Sequence, residues 1–234
     1  MKVIFALLLA AAFGYLLGSL NFSIITVKLM TGKDIRTMGS RNAGLTNTYR
    51  CCGPACAGIT LAGDLLKGVL AVALSRVVAG WLKAGFSPDN DTHYIGFIAG
   101  FFAILGHVFP LYYNFKGGKG VLVGVAALLA IDFKVFLGLI LIFAVMLALS
   151  KYVSLSSIIA TMYAPVAVFL LSLIVDEVGF GRSLLYTILS VPMAAMVIWM
   201  HRTNIQRLMN GTETKFSFGA DKLTRRMRSG NSEE

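Results

Sequence analysis

Four short polar stretches carry most of the reactive side chains of this otherwise apolar chain. They are residues 40–50 (SRNAGLTNTYR), 114–120 (NFKGGKG), 150–157 (SKYVSLSS) and 201–215 (HRTNIQRLMNGTETK). Together they supply hydroxyl, amide, guanidinium, ammonium and imidazole groups, the donors that bind phosphate and carboxylate. If the fold brings the stretches together, the sequence predicts an anion-binding site.

The first stretch combines hydrogen-bond donors with small residues that permit tight backbone turns. The residues concerned are Ser40, Arg41, Asn42, Gly44, Thr46, Asn47 and Arg50. A bound phosphate or carboxylate suits this mixture. A capped, solvated loop before a helix that Pro54 opens explains the same residues equally well, and the stretch alone leaves both interpretations open.

The second stretch places two glycines, Gly117 and Gly118, between Lys116 and Lys119. It is not a Walker-type nucleotide loop, because that motif needs Ser or Thr directly after its lysine and Gly120 stands there. His107 precedes it, at the end of an apolar run. An ionisable residue in a membrane segment is a functional candidate by default, although a neutral histidine bonded to a carbonyl costs little.

The third stretch contains Ser154, Ser156 and Ser157. Serines at the mouth of an apolar helix serve as helix caps and interhelical contacts as often as they serve a site. In the fourth stretch, His201 and Asn204 are three residues apart and would share one face of a helix.

Three charged residues have bland explanations. Arg207 suits a side chain that extends from the last span to the membrane interface. Asp64 and Lys67 are three residues apart inside an apolar run, so they can pair on one helix face. The sequence predicts them as a neutralised structural ion pair.

Composition identifies an integral membrane protein. Of the 234 residues, 57% are hydrophobic and 14% are charged, and the mean hydropathy is +0.77; so little polar surface could not cover a soluble globule. The net charge of +10 therefore indicates basic cytoplasmic loops and anionic lipids or substrates rather than nucleic acid. The three cysteines, at 51, 52 and 56, match neither a disulfide framework nor a two-pair zinc site.

Uncharged runs predict an all-helical protein with seven membrane spans, at about 3–27, 55–80, 94–113, 121–131, 133–149, 152–175 and 183–200. One helix over 121–149 would be about 43 Å long, well over the hydrocarbon thickness, so a turn is expected at Asp132. The N-terminus imitates a signal peptide, but its apolar run is too long for one, and we expect a retained helix. A single membrane domain would occupy residues 1–215, with a flexible basic tail over 216–234.

Seven spans with the N-terminus outside place most of the Lys and Arg residues on the inside, as the positive-inside rule requires. All four polar stretches then face the cytoplasm. The run 121–131 is too short to cross a bilayer, so the glycine turn before it should lie at or below the interface. Its amides and the positive end of the following helix would form a phosphate cradle there.

The stretches occur in an order that resembles the bacterial acyl-phosphate:glycerol-3-phosphate acyltransferase family of the PlsY type. The resemblance is carried by GSRNAGLTNTYR, GHVFPLYYNFKGGKGV, YVSLSSI and HRTNIQRLMNGTETK, with YLLGS before them and DLLKG between, and it covers Tyr15 to Lys215. The chain departs from the family pattern at three positions. Arg41 replaces a usual glycine, Leu45 a frequent alanine and Asn21 a proline.

The resemblance implies transfer of a fatty acyl group from an acyl phosphate to the 1-hydroxyl of sn-glycerol 3-phosphate, giving lysophosphatidate and phosphate, at the cytoplasmic face of a bacterial inner membrane. It implies no metal and no cofactor. Its partners would be the two substrates and membrane lipids, with no nucleic acid and an oligomeric state that the sequence leaves open. A transporter of phosphorylated anions is the main alternative, although it would need a site near the midplane.

The resemblance also assigns roles by position. The catalytic candidates are His107, as first choice for a base or hydroxyl-orienting group, His201 as second, Ser40 and Lys119. A substrate phosphate oxygen could take the proton instead. The substrate-binding candidates are Asn42, Thr46, Asn47, Arg50, Lys116, Gly117, Gly118, Ser156, Ser157 and Asn204.

Overall fold

The computed structural model describes residues 1–85 and 90–216, and every regular element within these ranges is helical. The nine α-helices are α1 (Lys2–Gly18), α2 (Phe22–Thr31), α3 (Leu45–Trp81), α4 (His93–Val108), α5 (Val121–Ile131), α6 (Phe133–Ser150), α7 (Val153–Leu170), α8 (Phe180–Met200) and α9 (Arg202–Met209). Short 3-10 turns cover Ile35–Thr37 and Leu111–Tyr113, and a π-helical turn, Leu171–Val175, follows α7. The predicted tail lies almost wholly outside the described residues.

The predicted seven-helix membrane architecture is confirmed. In the described residues, six helical segments are long and apolar enough to cross a bilayer, and α5 is a seventh, shorter apolar helix. The turn expected at Asp132 is present: its carboxylate accepts hydrogen bonds from the amides of Lys134, at 2.8 Å, and Val135, at 3.2 Å. This cap ends α5 and begins α6.

Two helices differ from the prediction. The first span is interrupted at residues 19–21, where the Asn21 side chain accepts from the amide of Ile24, at 3.1 Å, and so caps α2. The helix expected at residue 55 begins at Leu45 and bends at Gly53, which has a φ of 82°. Pro54 opens the second part of this helix, as expected, because a proline fits the first turn after a break.

Glycines allow α1 and α4 to approach closely. An added Cβ on Gly14 would overlap the carbonyl oxygen of Ala99, and one on Gly18 would overlap that of Ala103. On the facing helix, a Cβ on Gly106 would overlap the carbonyl oxygen of Tyr15. Small residues at such contacts let two backbones pack within a membrane.

Helix α4 is the central element of the bundle. It packs against α1, α3, α5 and α8, and Ile95, Ala99, Ala103 and Ile104 on it are almost fully buried. By contrast, α6 exposes many large apolar side chains, as a helix that faces lipid does. The central helix therefore holds His107, in its last turn, on a rigid support.

Candidate active site

A cavity of about 670 Å³ opens at one end of the bundle. Its outer part is lined by polar and charged side chains, and its inner part by apolar residues of α5 to α8 such as Leu128, Leu139, Phe143, Ala164 and Met193. The lining includes five cations and two acids: Arg41, Arg50, Lys119, Arg202, Arg207, Asp64 and Glu213. The cavity therefore joins a positively charged mouth to a hydrophobic slot.

Most of the residues that the sequence singled out meet in this cavity. Those that line it are Ser40, Asn42, Thr46, Asn47, Arg50, His107, Lys119, Ser157, His201 and Asn204. They come from four separated parts of the chain: residues 40–50, 107–119, 157 at the start of α7, and 201–204. Lys116, Gly117, Gly118 and Ser156 do not line it.

Asn47 holds the loop that carries the first polar stretch. It is 2% exposed. Its side-chain oxygen accepts from the amide of Ser40, at 2.9 Å, and its nitrogen donates to the carbonyls of Met38 and Asn42, both at 3.0 Å. These bonds use the polar atoms expected to bind substrate, so Asn47 positions Ser40 and Asn42.

The two glycines of the second stretch pack against the end of α4. The amide of Gly117 donates to the carbonyl of Val108, at 3.0 Å, and that of Gly118 to the carbonyl of His107, at 3.1 Å. An added Cβ on Gly117 would overlap the latter carbonyl oxygen. The structure thus gives these amides a structural role in place of the phosphate cradle that the sequence suggested.

The lysines on either side of these glycines have different environments. Lys116 is exposed, and its carbonyl accepts from the guanidinium of Arg36, at 3.1 Å. Asp34 forms an ion pair with the same guanidinium. Lys119 reaches into the cavity and donates to the side-chain oxygen of Asn204. Burial, together with the nearby Arg207 and Arg50, lowers the pKa of Lys119 to about 8.

Glu213 connects the third and fourth polar stretches. Its carboxylate accepts from Ser154 and Asn204, each at 2.9 Å, and from Arg207, at 2.7 Å. Burial alone would raise the pKa of Glu213, but these hydrogen bonds outweigh it and hold the pKa below its usual value. Sequence reasoning missed this residue, although it lies in the quoted fourth stretch.

His201 lines the cavity and has a hydrogen-bond acceptor on its ring. Its Nδ1 lies 2.7 Å from the carbonyl oxygen of Val197, which can only accept, so Nδ1 carries a proton. In the neutral ring, Nε2 then has a free lone pair. Burial, opposed in part by this hydrogen bond, lowers the pKa of His201 to about 4, so the ring is neutral near pH 7.

The Asp64–Lys67 ion pair is present, with 2.7 Å between the carboxylate and ammonium groups, and both side chains are almost fully buried. It is more than the isolated structural pair that the sequence suggested. Lys67 Nζ also lies 2.9 Å from His107 Nδ1, and Asp64 lines the cavity. The pair therefore belongs to the wall of the site.

The serines at the start of α7 bond mainly to their own helix. Ser156 Oγ donates to the carbonyl of Tyr152, at 2.9 Å, and Ser157 Oγ to that of Val153, at 2.8 Å. Ser157 nevertheless lines the cavity, whereas Ser156 is buried away from it. The described residues contain no cluster of His, Cys, Asp and Glu side chains that could hold a metal ion.

Comparison with known proteins gives consistent results. A family model described as glycerol-3-phosphate acyltransferase matches residues 8–211. Curated proteins of that name from Clostridioides difficile and Bacillus subtilis are each 37% identical to this chain. Each alignment covers 91% of this chain, with 96% of the first relative and 98% of the second.

Two solved structures share the fold. Both are crystal structures of PlsY, described as an integral membrane glycerol 3-phosphate acyltransferase, one in a glycerol 3-phosphate form and one in a lysophosphatidic acid form. The first has a TM-score of 0.74 at 31% identity, and the second 0.72 at 30%. Each comparison covers 90% of this chain, with 96% and 95% of the solved chains.

Proposed function

This chain belongs to the glycerol-3-phosphate acyltransferase family, and we propose that it transfers a fatty acyl group from an acyl phosphate to the 1-hydroxyl of sn-glycerol 3-phosphate. The products are lysophosphatidate and inorganic phosphate. The enzyme works in the bacterial inner membrane, with its cavity open to the cytoplasm and its N-terminus outside, and it uses no metal or cofactor.

The observation that carries this proposal is the combination of a cationic mouth and an apolar slot in one cavity. An acyl phosphate has the same two parts, a long hydrocarbon chain and a charged head group. The slot runs among α5, α6, α7 and α8, which are membrane helices. An acyl chain in the slot therefore places its phosphate among the basic side chains.

Glycerol 3-phosphate needs charge-assisted and neutral hydrogen bonds. Arg50, Ser40 and Thr46 supply them from the loop that Asn47 holds and from the first turns of α3. Asn42 lines the same wall. We assign these residues to the phosphate and glycerol groups of the acceptor substrate.

The acyl phosphate requires stabilisation of the charge that develops on its leaving oxygen. Lys119 donates to Asn204, which donates in turn to Glu213, and the first turn of α5, Gly120 to Leu122, lines the cavity beside it. The positive end of a helix favours an anion there. We assign Lys119 to the transferred carbonyl or the departing phosphate, with Ser157 and Asn204 completing the polar lining.

The reaction needs one proton transfer. The 1-hydroxyl oxygen bonds to the acyl carbon, the bond from that carbon to the phosphate oxygen breaks, and the hydroxyl proton moves to a base. His201 Nε2 has the free lone pair for this step, but a nitrogen with a pKa of about 4 is a weak base. We therefore propose that His201 orients the hydroxyl and that a phosphate oxygen of substrate takes the proton.

Purified protein tests the proposal directly. With glycerol 3-phosphate and palmitoyl phosphate we expect lysophosphatidate, and with palmitoyl-coenzyme A or palmitoyl-acyl carrier protein no product. Lys119→Met should lower kcat by about 10²-fold or more, as loss of a charge-stabilising donor does. Lys134→Met is the matched control, because Lys134 pairs with Asp176 away from this cavity.

Two results would contradict the proposal. The first is acyl transfer from coenzyme A or the carrier protein with none from acyl phosphate. The second is passage of glycerol 3-phosphate across vesicles that contain the protein without any acyl transfer, which would favour the transporter alternative.

A further inference from the structure

Three buried ionisable side chains, Asp64, Lys67 and His107, lie together at the wall of the cavity. Their exposed fractions are 1%, 2% and 4%. Asp64 and His107 line the cavity, while Lys67 does not. The reaction as proposed gives Lys67 no direct contact with substrate, yet it is a costly residue to bury in a membrane helix.

The ammonium group of Lys67 has one acceptor for each of its three protons. Nζ lies 2.7 Å from the carbonyl oxygen of Leu20, 2.7 Å from Asp64 Oδ1 and 2.9 Å from His107 Nδ1. An ammonium group can only donate, so His107 Nδ1 accepts. A neutral imidazole that accepts at Nδ1 carries its own proton on Nε2.

The other ring nitrogen of His107, Nε2, belongs to a side chain that lines the cavity. Nε2 has no hydrogen-bond partner among the described residues, and it is not sealed in the interior either, because Thr60 Oγ1 is the only fully buried unpaired side-chain nitrogen or oxygen atom among them. Gly118 lies beside Nε2, where an added Cβ would overlap it. The glycine thus leaves the N–H group uncovered.

We propose that Lys67 is a positioning residue of the active site: held by Asp64 and the Leu20 carbonyl, it fixes His107 as the tautomer that presents Nε2–H to the cavity. On the function proposed above, this group donates to an oxygen atom of a bound substrate. His107 is then a hydrogen-bond donor and not a base. His201, whose Nδ1 is bonded to Val197, presents the opposite tautomer.

The tautomers of His107 and His201 can be determined without any enzymatic turnover. The chain has three histidines, so the NMR spectrum of protein labelled with ¹⁵N-histidine contains a short set of ring-nitrogen signals. We expect His107 to show a protonated Nε2 and an unprotonated Nδ1, and His201 to show the reverse. Signals are assigned by losing them one at a time, in His107→Asn, His201→Asn and His93→Asn.

The role of Lys67 is tested with the double variant Lys67→Met/Asp64→Asn. Changing both residues avoids leaving a buried carboxylate without its partner. Without the ammonium donor, His107 should exchange between its two tautomers, so its two nitrogen signals should move toward each other, and kcat should fall about tenfold or more. Lys134→Met, which removes a lysine from an ion pair elsewhere in the bundle, should leave the signals of His107 and the activity unchanged.

Each outcome decides. A wild-type His107 protonated at Nδ1 would overturn the proposal, and so would a double variant in which activity falls but the tautomer of His107 is unchanged. If the wild-type protein shows the predicted tautomer but transfers acyl groups from no donor, the proposed function is refuted, while the placement of the His107 proton by Lys67 is supported.

Discussion

Among single residues, Lys119 is a cavity-lining cation whose charge should change within the accessible pH range. A free lysine has a pKa near 10.4, whereas burial and the nearby Arg207 and Arg50 lower the pKa of Lys119 to about 8. A lowered pKa means that the proton is lost earlier as the pH rises. We therefore expect kcat/KM for acyl phosphate to fall above about pH 8, about two pH units below the point for a free lysine.

The control for this pH profile is Lys119→Arg, because a guanidinium group stays charged throughout the accessible range. Any activity it retains should show no loss between pH 8 and 9.5. A wild-type kcat/KM that stays level to pH 9.5, or the same decline in both proteins, would show that the charge of Lys119 does not limit the reaction.

Arg50 should contribute mainly to binding of glycerol 3-phosphate. Its guanidinium group lines the cavity at the first turns of α3, beside the loop that carries Ser40. A hydrogen bond to a charged group is worth about 1.5–3 kcal/mol, which is roughly a 10- to 150-fold change in binding. We expect Arg50→Ala to raise the KM for glycerol 3-phosphate within that range and to change kcat less.

Lys28→Ala provides the comparison for Arg50→Ala, since Lys28 is exposed in α2 and does not line the cavity. It removes the same charge from the molecule. If Arg50 acted only through a general electrostatic attraction, losing that charge would raise KM in both variants. An unchanged KM in Arg50→Ala would remove the binding role.

The residue types of the site could be predicted from the sequence, but the task of each residue could not. Asn47 and Arg50 look alike as polar members of one stretch. The side-chain oxygen and nitrogen of Asn47, however, are already hydrogen-bonded to the backbone of Ser40, Met38 and Asn42. Glu213 was overlooked because a single acid in a basic stretch is unremarkable until Ser154 and Arg207 are seen to meet it. Such partners are set by tertiary contacts, which spacing along the chain does not reveal.

At the level of elements, the contact of α1 with α4 depends on glycine. A Cβ on Gly18 would overlap the carbonyl oxygen of Ala103, a backbone atom that cannot move without shifting α4. Overpacking of this kind costs about 1–3 kcal/mol. We expect Gly18→Ala to lower the thermal unfolding temperature of the purified protein in detergent.

Gly138→Ala is the matched control for Gly18→Ala. Gly138 lies within α6, and an added Cβ there meets nothing within 4 Å. Alanine is the better helix former, so this change should leave the unfolding temperature the same or slightly higher. Equal decreases in the two variants would show that close packing of α1 on α4 does not explain the first.

Hydrophobic length and turn residues were sufficient to predict most of the helices. The short α5 and the turn at Asp132 follow from the bilayer thickness alone. The break at residues 19–21 does not, because Ser19 and Asn21 are isolated polar residues in a run that is apolar on both sides. The early start of α3 does not either, because it depends on the bonds by which Asn47 holds a polar loop. The membrane orientation remains a prediction from charge.

For the whole molecule, the main consequence of the fold is that residues from both halves of the chain form one cavity. The loop before α3, the last turn of α4, the start of α5, the start of α7 and the end of α8 meet at one end of the bundle. Below them, α5 to α8 enclose the apolar slot. On the function proposed above, this arrangement lets a charged acceptor from the aqueous phase meet a donor whose acyl chain lies in the bilayer.

The depth of the slot should determine which acyl chains the enzyme accepts. Ala164 on α7 lines its inner part and is nearly buried, so Ala164→Phe should fill the space that the distal carbons of a long chain need. Each CH₂ group denied burial costs about 0.8 kcal/mol. We therefore expect the ratio of kcat/KM for palmitoyl over decanoyl phosphate to fall by 10-fold or more, with decanoyl phosphate affected little. Val166→Phe enlarges an exposed residue of the same helix and should leave the ratio unchanged; an equal loss for both chain lengths in Ala164→Phe would show that the slot does not hold the acyl chain.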